Sequence, residues 1–292
     1  MRKKKHKRGL FRIILFFTIL LSLIFILSRL MVHEEKKPPS KPPLKERKEP
    51  EIPEVSKPTR PDLPTIPGVP GPKIAIIIDD VGYPSSSFEK LLQFKGKLTF
   101  SVLPFLDGSS ILAEHLQKSG FEVILHIPME PLDYPEKNPG EGALLIEDSR
   151  EEIEKKTDAM INNLNFIVGA NNHMGSKLTQ NYEMMTWTLG RLKMHNLFFI
   201  DSLTANNSEA WKAAGDLGVM VARRDVFLDN DDNFSYINSQ FESLKRIARK
   251  RGTAIGIGHI QSKNLPAVLN HQLPLLKEEN IQLAFASEVV SN

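Results

Sequence analysis

Cysteine is absent from this chain, which excludes disulfides and thiolate metal sites, so any bound metal has to rely on oxygen and imidazole ligands. No internal repeat is visible. Basic residues are in short supply where a nucleic-acid-binding protein would need them. From Lys73 onward there are 22 Lys and Arg against 28 Asp and Glu, a net charge of −6, although the whole chain is at +3. Without a basic patch on the folded part, nucleic-acid binding loses its electrostatic footing. Also missing is a small-x-small pair after the long apolar run near the N-terminus, where Ser28-Arg29-Leu30-Met31-Val32-His33 stands instead. A cleaved signal peptide would have an apolar region of only about 7–15 residues followed by such a site.

The N-terminus carries Arg2, Lys3, Lys4, Lys5, Lys7, Arg8 and Arg12 with no acid among them, then an uncharged run rich in Ile, Leu and Phe from Ile13 to Ser28. A spanning helix needs roughly 20 apolar residues, and the run reaches that length if Arg12 and Arg29 snorkel to the interfaces. The positive cluster stays cytoplasmic, so the rest of the chain is expected outside. Residues 1–32 are therefore read as a basic tail and transmembrane signal-anchor, with the membrane as a partner. Between His33 and Pro72 lie twelve of the twenty prolines, mixed with Lys and Glu. Residues 33–72 are expected to be a disordered spacer, reaching about 3 Å per residue and so on the order of 100 Å.

Residues 73–292 change character. Apolar runs alternate with amphipathic stretches: Ile74–Ile78, a helix over 86–94, Leu98–Leu103, a helix over Ser109–Lys118 closed by Gly120, and Glu122–His126. A capping box, Ser149-Arg150-Glu151-Glu152, opens the next helix. Further strands are expected at Phe166–Ala170, Leu197–Ile200, Val219–Ala222, Ala254–Gly258 and Gln282–Ala286. This rhythm predicts one α/β domain with a parallel sheet under helices, either open or closed into a barrel.

In such folds the functional site forms at the C-terminal ends of the strands. Applied here, that rule collects Asp79-Asp80, His126 and Glu130, Asn171-Asn172-His173, Asp201-Ser202, Arg224-Asp225 and His259. Each has a plainer reading alone: Asp79-Asp80 as a turn cap, the histidines as core residues, Arg224-Asp225 as an ion pair, Asp201 as an N-cap. Two carboxylates directly after a buried Ile-Ile-Ile strand repel unless a cation or proton lies between them. Asp oxygens with imidazole nitrogens suit zinc or a similar divalent ion. A second carboxylate to take a proton from water, and a histidine opposite to protonate a leaving group, complete the parts for hydrolysis of an amide or ester.

These residues resemble the divergent polysaccharide deacetylases, relatives of the NodB-type carbohydrate esterases, in consistent order from about Ile74 to Ser287. The landmarks are Asp79-Asp80-Val-Gly82, His126-Ile-Pro128-Met-Glu130-Pro131, Asn171-Asn172-His173-Met-Gly175-Ser176, Asp201-Ser202, Arg224-Asp225-Val-Phe-Leu-Asp229 and Gly256-Ile-Gly258-His259. The resemblance implies a NodB-like incomplete (β/α) barrel. It also implies Asp79 as base, Asp80 and His126 as metal ligands, His259 as acid, and a divalent metal, most simply zinc. The family's second motif has two histidines four residues apart, whereas here the pair is His126 and Glu130; His173, whose His-Met-Gly turn would set the imidazole at the sheet edge, is expected as the third ligand, with Glu130 as the alternative. The family's arginine-proline motif is also missing, with Asn171 and Asn172 in that region. Asn172, Asp201, Arg224 and Asp225 are expected to contact substrate. The implied activity is removal of acetyl groups from an N-acetylated envelope polysaccharide, with the domain in the periplasm or outside the cell. A catalytically inactive glycan-binding or envelope-assembly protein that keeps the fold is the alternative.

Overall fold

In the computed structural model, which describes residues 71–291, the strands expected from the apolar runs join into one parallel sheet. They are β1 (Lys73–Val81), β2 (Thr99–Val102), β3 (Glu122–Met129), β4 (Gly169–Met174), β5 (Phe198–Asp201), β6 (Val221–Arg223), β7 (Val226–Phe227), β8 (Thr253–His259) and β9 (Gln282–Ala284). The helices between them are α1 (Phe88–Leu92), α2 (Ser109–Lys118), α3 (Arg150–Asn163), α4 (Tyr182–Met194), α5 (Ala210–Leu217), α6 (Phe234–Arg251) and α7 (Leu265–Glu278). The expected anchor and spacer lie outside the described residues. Among the described residues, no helix is long and apolar enough to cross a membrane.

The sheet order is β6-β5-β4-β3-β2-β1-β8-β7, with β9 beside the first residues of β1. β1 is central and covered on both faces, which is why it reads as a continuous Ile run rather than an alternating one. Its even side, Ile74, Ile76 and Ile78, packs with helix residues such as Leu244 and Leu265 in the larger core. Ala75 and Ile77 belong to a second, smaller core with Ile124, Phe198, Ile200, Ala222, Ile255 and Ile257. Those residues come from strands that are not all neighbours, so they meet only because the sheet curls into a half-barrel. The last residues fill its hollow: Ala286 is buried there, Val289 and Val290 pack against it, and Ser291 bridges Val221 antiparallel. No ladder joins β6 to β7 among the described residues, so the barrel has a seam.

The capping box at Ser149 is present: its hydroxyl accepts the Glu152 N–H, and the Glu152 carboxylate accepts the Ser149 N–H at 2.8 Å. Strand boundaries differ from expectation where it matters most. β4 runs from Gly169 to Met174, not from Phe166 to Ala170, and β3 continues to Met129. Asn171, Asn172 and His173 therefore lie within a strand instead of the loop after it, and His126 lies mid-strand. Their polar side chains hid the strand because apolar periodicity reads only residues that face a dry core. The two-residue β7 is too short to leave a pattern.

Candidate functional site

Asp79 and Asp80 are neighbours in β1 and would ordinarily point to opposite faces of the sheet. A register irregularity between Ile78 and Val81 breaks that alternation, and Asp80 has φ of 62°. Such a backbone is uncommon outside glycine and costs of order 1–3 kcal/mol, so the surrounding structure has to hold it. Met174 and Leu203, at the same end of β4 and just past β5, also have positive φ, at 53° and 49°. Phe105, just past β2, shares this conformation, while Phe166, Asn196 and Asn280 adopt it at the other end of the sheet, before β4, β5 and β9.

At that rim three ligand atoms form a small triangle. His173 Nδ1 lies 2.9 Å from Asp80 Oδ1, His126 Nε2 lies 3.1 Å from the same oxygen, and the two nitrogens are 3.2 Å apart. Neighbouring ligands around an ion bound at about 2.0–2.2 Å stand about 2.9–3.5 Å apart, so the spacing fits one divalent ion. The donor set, one carboxylate and two imidazoles, suits zinc or a similar borderline ion. Among the described residues this is the group of His, Asp and Glu side chains close enough to do so.

The charges around the triangle are strongly coupled. Burial pushes the Asp79 carboxyl up, against the opposing pull of His126 and His259. Burial would also raise Asp80, but hydrogen bonds from His126 and His173 hold it far below the usual carboxylate range. Burial disfavours charge on His126, yet the Asp79 and Asp80 carboxylates outweigh it and raise its pKa. Asp79 itself is 2 % exposed, with Oδ2 3.8 Å from His126 Nε2.

His259 ends β8 directly in register with Asp79. Its Nδ1 is 2.9 Å from Asp229 Oδ1, and Asp229 Oδ2 accepts its main-chain N–H at 2.6 Å. The ring stacks on Phe227 with centroids 5.7 Å apart. Burial lowers the His259 pKa, but the Asp229 hydrogen bond and charge, with Asp79 and Asp80 behind, raise it to about 9. Arg224 donates Nε to the Ser202 carbonyl at 2.7 Å and Nη2 to the Leu203 carbonyl at 2.9 Å, and its guanidinium lies 3.6 Å over the Phe227 ring. It thereby links the end of β5 to β7 across the seam, next to His259.

The structure brings together Asp79, Asp80, His126, His173 and His259, and it engages other expected residues elsewhere. Glu130 is buried but faces away from the triangle: its carboxylate accepts the Ile146 N–H at 2.6 Å and pairs with Lys177 at 2.5 Å. It anchors the loop after β3, so His173 supplies the third ligand atom of the triangle instead. Asn172 is buried, donates to the Met174 carbonyl and accepts the Ser202 N–H, holding β4 to β5. Asp201 is fully buried on the helix side, following Phe199, with Oδ1 bonded to the Leu203 N–H and Oδ2 3.9 Å from Arg223 Nε, without a hydrogen bond. Asp225 binds the Ile255 N–H and Arg251 at the opposite part of the seam.

Two residues gained a role only here. Asp229 stood in a motif with no assigned part and proves to orient His259. Asn171 appeared to stand in for a missing motif and proves to contact both Asp79 and His126, at 2.8 and 2.6 Å. An Asp 30 residues before a His, across one pair of adjacent strands, was the available signal for the first.

Known proteins resemble this chain over most of the described residues. Residues 76–290 match the model of the family described as divergent polysaccharide deacetylase. The chain is 40 % identical over 188 residues to the Escherichia coli protein YibQ, covering 64 % of this chain and 58 % of that one. It therefore spans less than two thirds of that relative's length. A Haemophilus influenzae protein is 32 % identical over 211 residues, covering 72 % of this chain and 74 % of the relative. The crystal structure of ATU2773 from Agrobacterium tumefaciens is similar with a TM-score of 0.71 at 22 % identity, over 76 % of this chain and 91 % of that one.

Proposed function

We propose, for a chain that belongs to the divergent polysaccharide deacetylase family, that it is a metal-dependent hydrolase removing acetyl groups from an N-acetylated envelope polysaccharide. The observation that carries this reading is the triangle of Asp80, His126 and His173, with Asp79 beside it and His259 across from it. A divalent ion held by those three side chains supplies Lewis acidity, polarising a carbonyl and making water more acidic. Asp79 accepts a proton from the attacking water as its oxygen bonds to the acetyl carbon. His259, kept protonated by Asp229, donates a proton to the sugar nitrogen as the C–N bond breaks, leaving acetate and a free amine. Arg224 steadies the Phe227 ring against which His259 rests.

The N-terminal sequence supports placing this domain outside the cytoplasmic membrane, where a glycan substrate would be met. A neutral, hydroxyl-rich substrate also suits a domain of net charge −6 better than a polyanion does. The test is metal content of the purified protein together with acetate release from N-acetylglucosamine oligomers and from peptidoglycan. Near-stoichiometric metal with metal-dependent acetate release is expected. A protein that takes up no metal under excess zinc, yet binds the oligomers, would overturn the hydrolase reading in favour of glycan binding.

A further inference from the structure

Asn171 is fully buried in β4, directly opposite His126 in register and surrounded by residues of three other strands. Its amide makes three hydrogen bonds. Nδ2 lies 2.8 Å from Asp79 Oδ1, while Oδ1 lies 2.5 Å from Ser101 Oγ and 2.6 Å from His126 Nδ1. The orientation of the amide follows from its partners. Asp79 offers only acceptors when ionised, so the group facing it has to be the NH2, which leaves the carbonyl oxygen for the other two. Ser101 donates its hydroxyl proton there, and His126 donates an Nδ1–H.

That last bond settles which nitrogen of His126 is free. With Nδ1–H bonded to Asn171, Nε2 is the nitrogen that the neutral ring would offer to an ion; with no ion there, the protonated ring gives its Nε2–H to Asp80. A second partner of a metal-binding imidazole ordinarily sets its tautomer and orientation in this way. Here the same side chain also grips the carboxylate beside the triangle. The partners come from β1, β2 and β3, so one amide ties four adjacent strands at the level of the site.

We infer that Asn171 is a positioning residue, selecting the Nε2-ligating tautomer of His126 and holding Asp79 at a set distance from it. The ligand part of this inference rests on the metal-site reading above; the tautomer part does not. Asn171 touches neither reacting atoms nor ion, and acts through its two neighbours. A hydrophobic residue of the same size would keep the packing and remove all three bonds, whereas Asn171→Asp would keep an acceptor toward His126 and Ser101.

The experiment uses the full chain in detergent with 15N-labelled histidine, with the His126 signals identified by their loss in His126→Gln. Two-bond 15N–1H correlation spectra, recorded at a pH where the His126 ring is neutral, report the tautomer in metal-free protein, and competition with a chelator reports zinc affinity. Expected are an Nδ1–H tautomer for His126 in the unaltered chain and in Asn171→Asp, and a shift toward Nε2–H or a mixture in Asn171→Leu. Zinc affinity should fall about 10–100-fold in Asn171→Leu, the range seen when partners of metal ligands are removed. An unchanged tautomer and affinity in Asn171→Leu would overturn the inference. If Asn171→Leu does not fold, an Nε2–H tautomer in the unaltered chain or in Asn171→Asp does the same. A tautomer that follows Asn171 in a chain that binds no zinc would sustain the positioning role and remove the metal-site reading instead.

Discussion

Asp229 holds His259 by two bonds at once, accepting the ring Nδ1–H at 2.9 Å on one oxygen and the main-chain N–H at 2.6 Å on the other. The bidentate grip fixes both the position of β8's last residue and the orientation of its ring, leaving Nε2 as the free nitrogen. It also determines when that nitrogen carries a proton.

The His259 pKa is raised from an ordinary 6.5 to about 9, so the imidazolium is present across the neutral range. A raised value means that its stabilising contribution is complete below about 6.5 and is lost as pH climbs through about 9. Acetate release should therefore hold to weakly alkaline pH and fall near pH 9. Asp229→Asn should move that alkaline limb down by about 1–2 units in a kcat/KM profile. An unmoved limb would show that another group sets it.

Zinc should stabilise the protein through Asp80 and His173. An ion at about 100 times its dissociation constant adds about 2.7 kcal/mol to the folded state. Thermal unfolding with and without added zinc should show an upward shift for the unaltered chain and none for Asp80→Ala or His173→Ala. Shifts of equal size in all three would place the ion elsewhere.

Glu130 behaves as a structural carboxylate in this arrangement, bonded to Ile146 and Lys177. Glu130→Gln should leave metal content unchanged while lowering stability by about 1–2 kcal/mol, a figure already reduced because Lys177 is 44 % exposed. Metal analysis alongside urea unfolding checks both halves. Loss of metal with unaltered stability would make Glu130 the ligand.

Gly175 follows Met174, the last residue of β4, with φ of +85°, and a Cβ there would stand 2.9 Å from Met129 Cβ. Gly175→Ala meets both backbone strain and a clash with a strand neighbour, and should cost about 1–3 kcal/mol. For a domain of this size that is a fall of roughly 3–10 °C in Tm. Zinc affinity should fall with it, since His173 lies two residues away. A variant with unaltered Tm would show that the turn relaxes freely.

Much of the arrangement was legible before any coordinates. The Ile run of β1 marked a strand buried on both faces, Ser149 and Glu152 marked a helix start, and the strand-end rule collected Asp79, Asp80, His126, His173 and His259. The same rule also gathered Asn172, Asp201 and Asp225, because it locates an end of the sheet and says nothing of which side of the strand a residue faces. Asp201 follows Phe199 toward the helices, while Ile200 points inward. One residue of register separates the two outcomes.

By itself, then, the sequence determined the parallel α/β layout and the rim on which the chemistry gathers, because apolar period and strand order are local properties of the chain. Tertiary structure alone decided that Glu130 turns away from the triangle that His173 completes, that Asp79 and Asp80 both come to face His126, and that Asn171 and Asp229 bond to Asp79, His126 and His259. Those outcomes depend on a bulge in β1, on the curl that brings separate strands together, and on contacts such as Asn171 to Asp79 across 92 residues. Side-chain direction at a strand end is set by the packing of the whole sheet, and no local pattern encodes it.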